Sequence, residues 1–157
     1  MNRTFITQVV GRIESFLGEF AGRKGIFLID VLVRGQRNDL LVEVFVDGDT
    51  GVDAGTCAEI SRALGKDLDG SVLAGETYTL TVSSPGLDRP LKFPRQYTKH
   101  VGRGISVMVR SGASTERLRG VLVAAGDRSI QVQPEPRGTT REISFVEIVE
   151  AKIEPRW

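Results

Sequence analysis

Near the middle of the chain a run of ten residues, Val82-Ser83-Ser84-Pro85-Gly86-Leu87-Asp88-Arg89-Pro90-Leu91, prevents any regular element from passing through it. Proline presets φ and glycine accepts positive φ, so Pro85-Gly86 suits the two central positions of a type II turn. Pro90 then biases Arg89 toward extended backbone, and the segment leaves the turn straight. Leu87 and Leu91 can each pack onto a neighbouring domain, while Asp88 and Arg89 stand side by side with opposite charge. The stretch Ser84, Pro85, Gly86, Leu87, Asp88, Arg89, Pro90 therefore reads as a stiff joint. From composition alone it is an interdomain linker with a surface ion pair rather than a binding site.

Charge changes sign across this joint. Residues 1–84 carry eight basic and twelve acidic residues, a net charge of −4, whereas residues 85–157 carry thirteen basic and eight acidic residues, a net charge of +5. Such a split predicts that one part meets an anionic partner and the other does not, with RNA as the obvious anion. The 157 residues allow one domain or two. With 40% hydrophobic and 26% charged residues the composition is that of a soluble globular protein. No apolar run approaches the roughly 20 residues of a membrane span. The N-terminal residues lack the apolar core of a secretory signal, so cytoplasmic residence is expected. One cysteine, Cys57, and one histidine, His100, cannot form an internal disulfide or a structural zinc site.

The first part reads as αββαβ. Phe5, Ile6, Val9, Val10, Ile13, Phe16, Leu17 and Phe20 recur at helical steps, and Gly22 is expected to end that helix. Phe27, Ile29, Val31 and Val33 alternate in a first strand and Leu40 to Val46 form a second, joined as a hairpin through a polar turn. Asp53 is placed to cap a second helix with Cys57, Ile60, Ser61, Leu64 and Leu68 on one face, and a strand follows to Val82. Helices on one face of a small sheet would bury a single core. Gly22-Arg23-Lys24-Gly25 has a GxxG form with which some RNA-binding domains clamp a backbone, but here it leaves a helix for a strand, which favours a helix cap. Asp47-Gly48-Asp49-Thr50-Gly51-Val52-Asp53 begins like a calcium loop and fails where Val52 and Ala58 replace the required glycine and glutamate.

In the second part a short helical turn over 93–101 precedes five closely spaced strands. These are centred on Ile105 to Val109, Leu118 to Ala125, Ile130 to Val132, Ile143 to Phe145 and Ile148 to Ile153, a pattern of a small barrel. Gly120 sits mid-strand where the chain is expected to bend sharply. Between 89 and 119, Arg89, Lys92, Arg95, Lys99, Arg103, Arg110, Arg117 and Arg119 are opposed only by Glu116. Lys92, Arg95, Lys99, Arg103, Arg117 and Arg119 are the candidate RNA-binding residues, since cations grip phosphate while nearby rings such as Tyr97 can stack on bases. The bland alternative is a solvated face with its aromatics turned inward, and Phe93 is expected to be a core anchor.

No catalytic constellation emerges. Cys57 lies on an apolar helix face and His100 in the other part of the chain. Ser83-Ser84 lacks the G-x-S-x-G elbow, and neither a phosphate loop nor a metal-ligand cluster is present. No catalytic residue, metal or cofactor is expected.

The nonamer Ser83 to Leu91, preceded by Tyr78-Thr79-Leu80, closely resembles the hallmark of the bacterial ribosome maturation factor RimP family. In register with it are Leu41-Val42-Glu43-Val44-Phe45-Val46-Asp47, Cys57-Ala58-Glu59-Ile60-Ser61-Arg62 and Leu68-Asp69. Thr81 departs from the pattern, which commonly has an acidic residue there, and beyond Leu91 the resemblance thins, with hydrophobic spacing matching better than residue identity. The resemblance implies an α+β protein: a KH-like αββαβ sandwich over 1–84, a joint over 85–91, and an SH3-like or Sm-like small β-barrel over 92–157. It also implies a non-enzymatic assembly factor that binds the immature small (30S) ribosomal subunit, with ribosomal RNA and ribosomal proteins as partners. The factor is expected to be a monomer, with no membrane association. Two rivals stand beside it. One is an adaptor whose barrel binds a peptide without touching RNA, and the other is a small hydrolase using Cys57 or His100.

Overall fold

The computed structural model describes residues 2–155. The outer ends of the two expected domains, at 1 and at 156–157, and the side chain of Arg23 in the GxxG pattern lie outside the described residues. By the density of its backbone contacts the chain divides into two compact units, Met1–Pro85 and Gly86–Trp157.

In the first unit, helix α1 (Arg3–Phe20) starts where Asn2 Oδ1 accepts from the Phe5 amide at 2.8 Å. This satisfies one of the donors that a helix start leaves open. Phe5, Val9, Ile13 and Leu17 recur every four residues and form its buried stripe. The helix closes at Ala21, and the left-handed residue that follows is Gly25 (φ 70°), three positions later than the glycine cap expected at Gly22. Strands β1 (Ile26–Gln36) and β2 (Asp39–Gly48) form an antiparallel hairpin, with Arg37-Asn38 as its tip and Asn38 at φ 68°. The expected face of β1 is corrected by a bulge at Ile29. Ile26 and Leu28 share the core face with Val31 and Val33, while Phe27 lies opposite Asp47 on the other face.

Asp53 caps α2 (Ala54–Asp69), its Oδ1 accepting from the Thr56 amide at 2.7 Å. Helix α2 then crosses to β3 (Tyr78–Ser83), which pairs parallel with β2, so the sheet order is β1-β2-β3. Cys57, Ile60, Leu64 and Leu68 of α2 meet Val42, Val44 and Val46 of β2 and the stripe of α1 in one core. Each fully buried aliphatic side chain there contributes about 1.5–3 kcal/mol relative to exposure.

The turn at the joint occupies residues 86–88, one position later than a turn centred on Pro85-Gly86, with Gly86 at φ 68°. Leu87 and Leu91 pack on the core of the second unit, and the Leu91 amide donates to the Ala151 carbonyl at 2.8 Å. Strands β4 (Gly104–Ser111), β5 (Ser114–Ala125), β6 (Ser129–Pro134), β7 (Arg141–Ser144) and β8 (Ile148–Ile153) make one antiparallel sheet in the order β7-β6-β5-β4-β8, a small barrel-like unit. Ile105, Val107 and Val109 alternate inward and meet Leu122, Ile130, Val132, Ile143, Ala151 and Ile153. Phe145 lies in a 3-10 turn, Phe145–Glu147, between β7 and β8 and packs on the edge of this core. Gly120 is required because a Cβ there would stand 2.1 Å from the Gln133 carbonyl oxygen on β6. Among the described residues no helix is long and apolar enough to cross a membrane.

Candidate nucleic-acid interface

Strand alternation builds the basic face of the second unit. Since Ile105, Val107 and Val109 point inward, Ser106, Met108 and Arg110 of β4 point outward. Ser106 has Arg119 of β5 on one side and Lys152 of β8 on the other, and Met108 has Arg117 and Glu150. Neighbouring strands lie about 4.8 Å apart, so Arg110, Arg117, Arg119 and Lys152 share one patch. Lys152 was not among the candidates from sequence. Its place follows from the β4–β8 register, which local composition does not contain.

Side-chain partners divide these cations into two kinds. Arg119 is held by Glu154, its Nε and Nη2 donating to the two carboxylate oxygens at 2.7 and 3.0 Å. The hydrogen bond keeps the Glu154 carboxyl below its ordinary range and raises the Arg119 guanidinium further. Arg103 also reaches Glu154, with Nη2 3.4 Å from its carbonyl, and the Arg103 Nε is sealed from solvent without a partner. Arg103 and Arg119 thus converge on one glutamate. By contrast, Arg117 donates only to the neutral Ser106 hydroxyl, at 2.8 Å, and Arg110 is exposed and forms no ion pair among the described residues. Lys152 lies 3.5 Å from Glu150 in an exposed pair.

The remaining candidates occupy the segment before β4. Arg95 is exposed in the 3-10 turn Pro94–Gln96, and Lys99 is half-buried in the turn Thr98–His100. Lys92 places its ammonium 5.4 Å from the Phe93 ring centroid. Gln96, only 1% exposed, fixes this segment by accepting from the Lys92 and Phe93 amides at 2.7 and 2.9 Å. Nothing in the sequence marked Gln96, because a glutamine in a polar run carries no burial signal. The aromatic in the second core is Tyr97, against Phe145 with ring centroids 5.0 Å apart, rather than the expected Phe93. Burial also removes Tyr97 from any stacking role.

In the first unit Cys57 is buried on α2, and desolvation pushes its thiol up, followed by the charge of Asp53. A thiol so placed stays protonated, the wrong state for a nucleophile.

The family model described as RimP N-terminal domain matches residues 16–88. The Ribosome maturation factor RimP of Cytophaga hutchinsonii is 33% identical over 135 residues, covering 85% of this chain and 79% of that protein. The chain belongs to the RimP family. A RimP of Chlorobium limicola is 33% identical over 146 residues, covering 85% and 83% of the two chains. Another, of Pelodictyon phaeoclathratiforme, reaches 39% over 101 residues, 60% and 58% of the two. The family model covers the first unit from residue 16 onward and the start of the joint, whereas the long alignments extend into the barrel-like unit that carries the basic face.

Proposed function

We propose that the chain is a ribosome maturation factor that binds the immature small subunit without catalysis. The basic second unit meets ribosomal RNA and the acidic first unit meets basic ribosomal proteins. The names of its relatives support the maturation role. The outer face of β4, β5 and β8 carries the RNA reading. Arg110 and Arg117 project there without a carboxylate partner among the described residues, which is what phosphate contact needs. Lys92, Arg95 and Lys99 extend the contact along the segment before β4, and Arg103 and Arg119 hold its margin through Glu154. Co-sedimentation with purified immature small subunits tests the reading. Binding to them and not to large subunits is expected, and absence from the small-subunit fraction would overturn it.

The adaptor reading has one observation in its favour. A cavity of about 190 Å³ in the second unit is lined by Pro90, Pro94, Tyr97 and Phe145 together with the charged Lys92 and Glu150, a mixed surface of the size for one peptide side chain. It requires binding to isolated protein that barely responds to salt.

A further inference from the structure

Strand β3 ends its sheet, and its outer edge borders α2. The Leu40 amide donates to the Thr77 carbonyl, and Leu40 lies opposite Tyr78. By the alternation of a parallel ladder, Thr79, Thr81 and Ser83 turn their backbone groups toward β2, and Tyr78, Leu80 and Val82 turn theirs away. No neighbouring strand receives those six groups among the described residues.

Two cavities lie along the same edge and share Ser61 as a wall. One, of about 530 Å³, is bordered by Arg62, Lys66, Tyr78 and Leu80. The other, of about 410 Å³, is bordered by Val52, Cys57, Ala58 and Val82. Together they form a groove between helix and strand edge. Within it the Tyr78 hydroxyl is spent on Asp69 at 2.7 Å, and Glu76 accepts from the Asn38 amide at 2.7 Å and from Arg37. Arg62 and Lys66, one turn apart on α2, are exposed and take part in no ion pair among the described residues.

We propose that this groove receives an extended segment of another protein as a fourth strand beside β3, with an acidic side chain at Arg62 and Lys66 and an aliphatic one beside Cys57. Only a polypeptide backbone offers donors and acceptors at the spacing that an open strand edge presents, and pockets for alternate side chains supply selectivity. The site is independent of the RNA face, and its test uses no ribosomal component.

The probe is a synthetic Thr/Val peptide of roughly seven residues, a common strand length. One version carries two aspartates at one end and the other carries two lysines. Each is titrated into the isotopically labelled full-length protein while amide hydrogen exchange is followed residue by residue. The aspartate peptide is expected to slow exchange at Tyr78, Leu80 and Val82 and to leave Thr79 and Thr81, already bonded to β2, unchanged. R62E/K66E is expected to weaken the aspartate peptide about tenfold, as for two exposed ion pairs, and to favour the lysine peptide. Protection by neither peptide overturns the proposal, and equal binding of both overturns the acidic partner. Protection at the same amides without peptide, in a concentration-dependent dimer, overturns it in favour of a second copy of this chain.

Discussion

Gly86 and Gly120 are indispensable for different reasons. At Gly86 the backbone is left-handed and a Cβ would meet nothing within 4 Å, so the cost of a side chain is conformational. Gly86→Val is expected to destabilise by about 1–3 kcal/mol, the range for strained backbone, while Asp88→Ala on the exposed turn changes little. Equal melting temperatures for the two variants would contradict this. At Gly120 the obstacle is the Gln133 carbonyl, a backbone atom held in the β5–β6 ladder, so Gly120→Ala is expected to lower the melting temperature more than Gly86→Ala. A smaller drop at Gly120 would count against the close approach. Gly86 was legible because Pro85 precedes it. The cause at Gly120 was not, because a partner strand's oxygen leaves no mark on the local sequence.

Among the described elements, hydrophobic periodicity, at two residues for strands and at helical steps for helices, found the eight strands and both α-helices, and the Asp53 cap was correct to the residue. It mistook the face of β1. The extra residue at Ile29 reverses parity, and a bulge looks like any other β-branched position until the partner strand is known. The β1–β2 tip is tied to the segment before β3 by Glu76, which accepts from the Asn38 amide and pairs with Arg37, and Arg37 also lies 4.2 Å from the Phe5 ring centroid. The backbone hydrogen bond from Asn38, aided by Arg37, lowers the Glu76 pKa below its ordinary 4.5. A carboxylate with a lowered folded pKa contributes stability above the unfolded value and loses it as pH falls through the folded one. Glu76→Gln is therefore expected to reduce stability near neutral pH and to shrink the loss on acidification below about pH 4.5. Unfolding followed by circular dichroism across that range checks it, and an unchanged acid limb would remove Glu76 as a contributor.

For the whole molecule, the reversal of charge at the joint and the two separate cores support independent folding of the two parts, with limited proteolysis expected to cut near 84–87. Stable fragments ending inside β1, β2, β4 or β5 would count against it. The sequence disclosed the basic composition of the second part but not which cations are engaged. Arg103 and Arg119 looked equivalent to Arg117 until Glu154 was found between them. The partners of the basic face are tested most directly by the salt dependence of binding to purified small subunits. If phosphate binding dominates, affinity falls steeply as salt rises, since each neutralised phosphate releases counterions. Replacing Arg110 and Arg117 together by alanine, with Arg103 left in place because it is half-buried, is expected to weaken binding and to flatten the logarithmic slope by roughly one unit for each phosphate no longer neutralised. The triple change of Lys92, Arg95 and Lys99 to alanine is expected to flatten it similarly. Weaker binding with an unchanged slope, or unchanged binding at every salt concentration, would contradict an RNA-docking face.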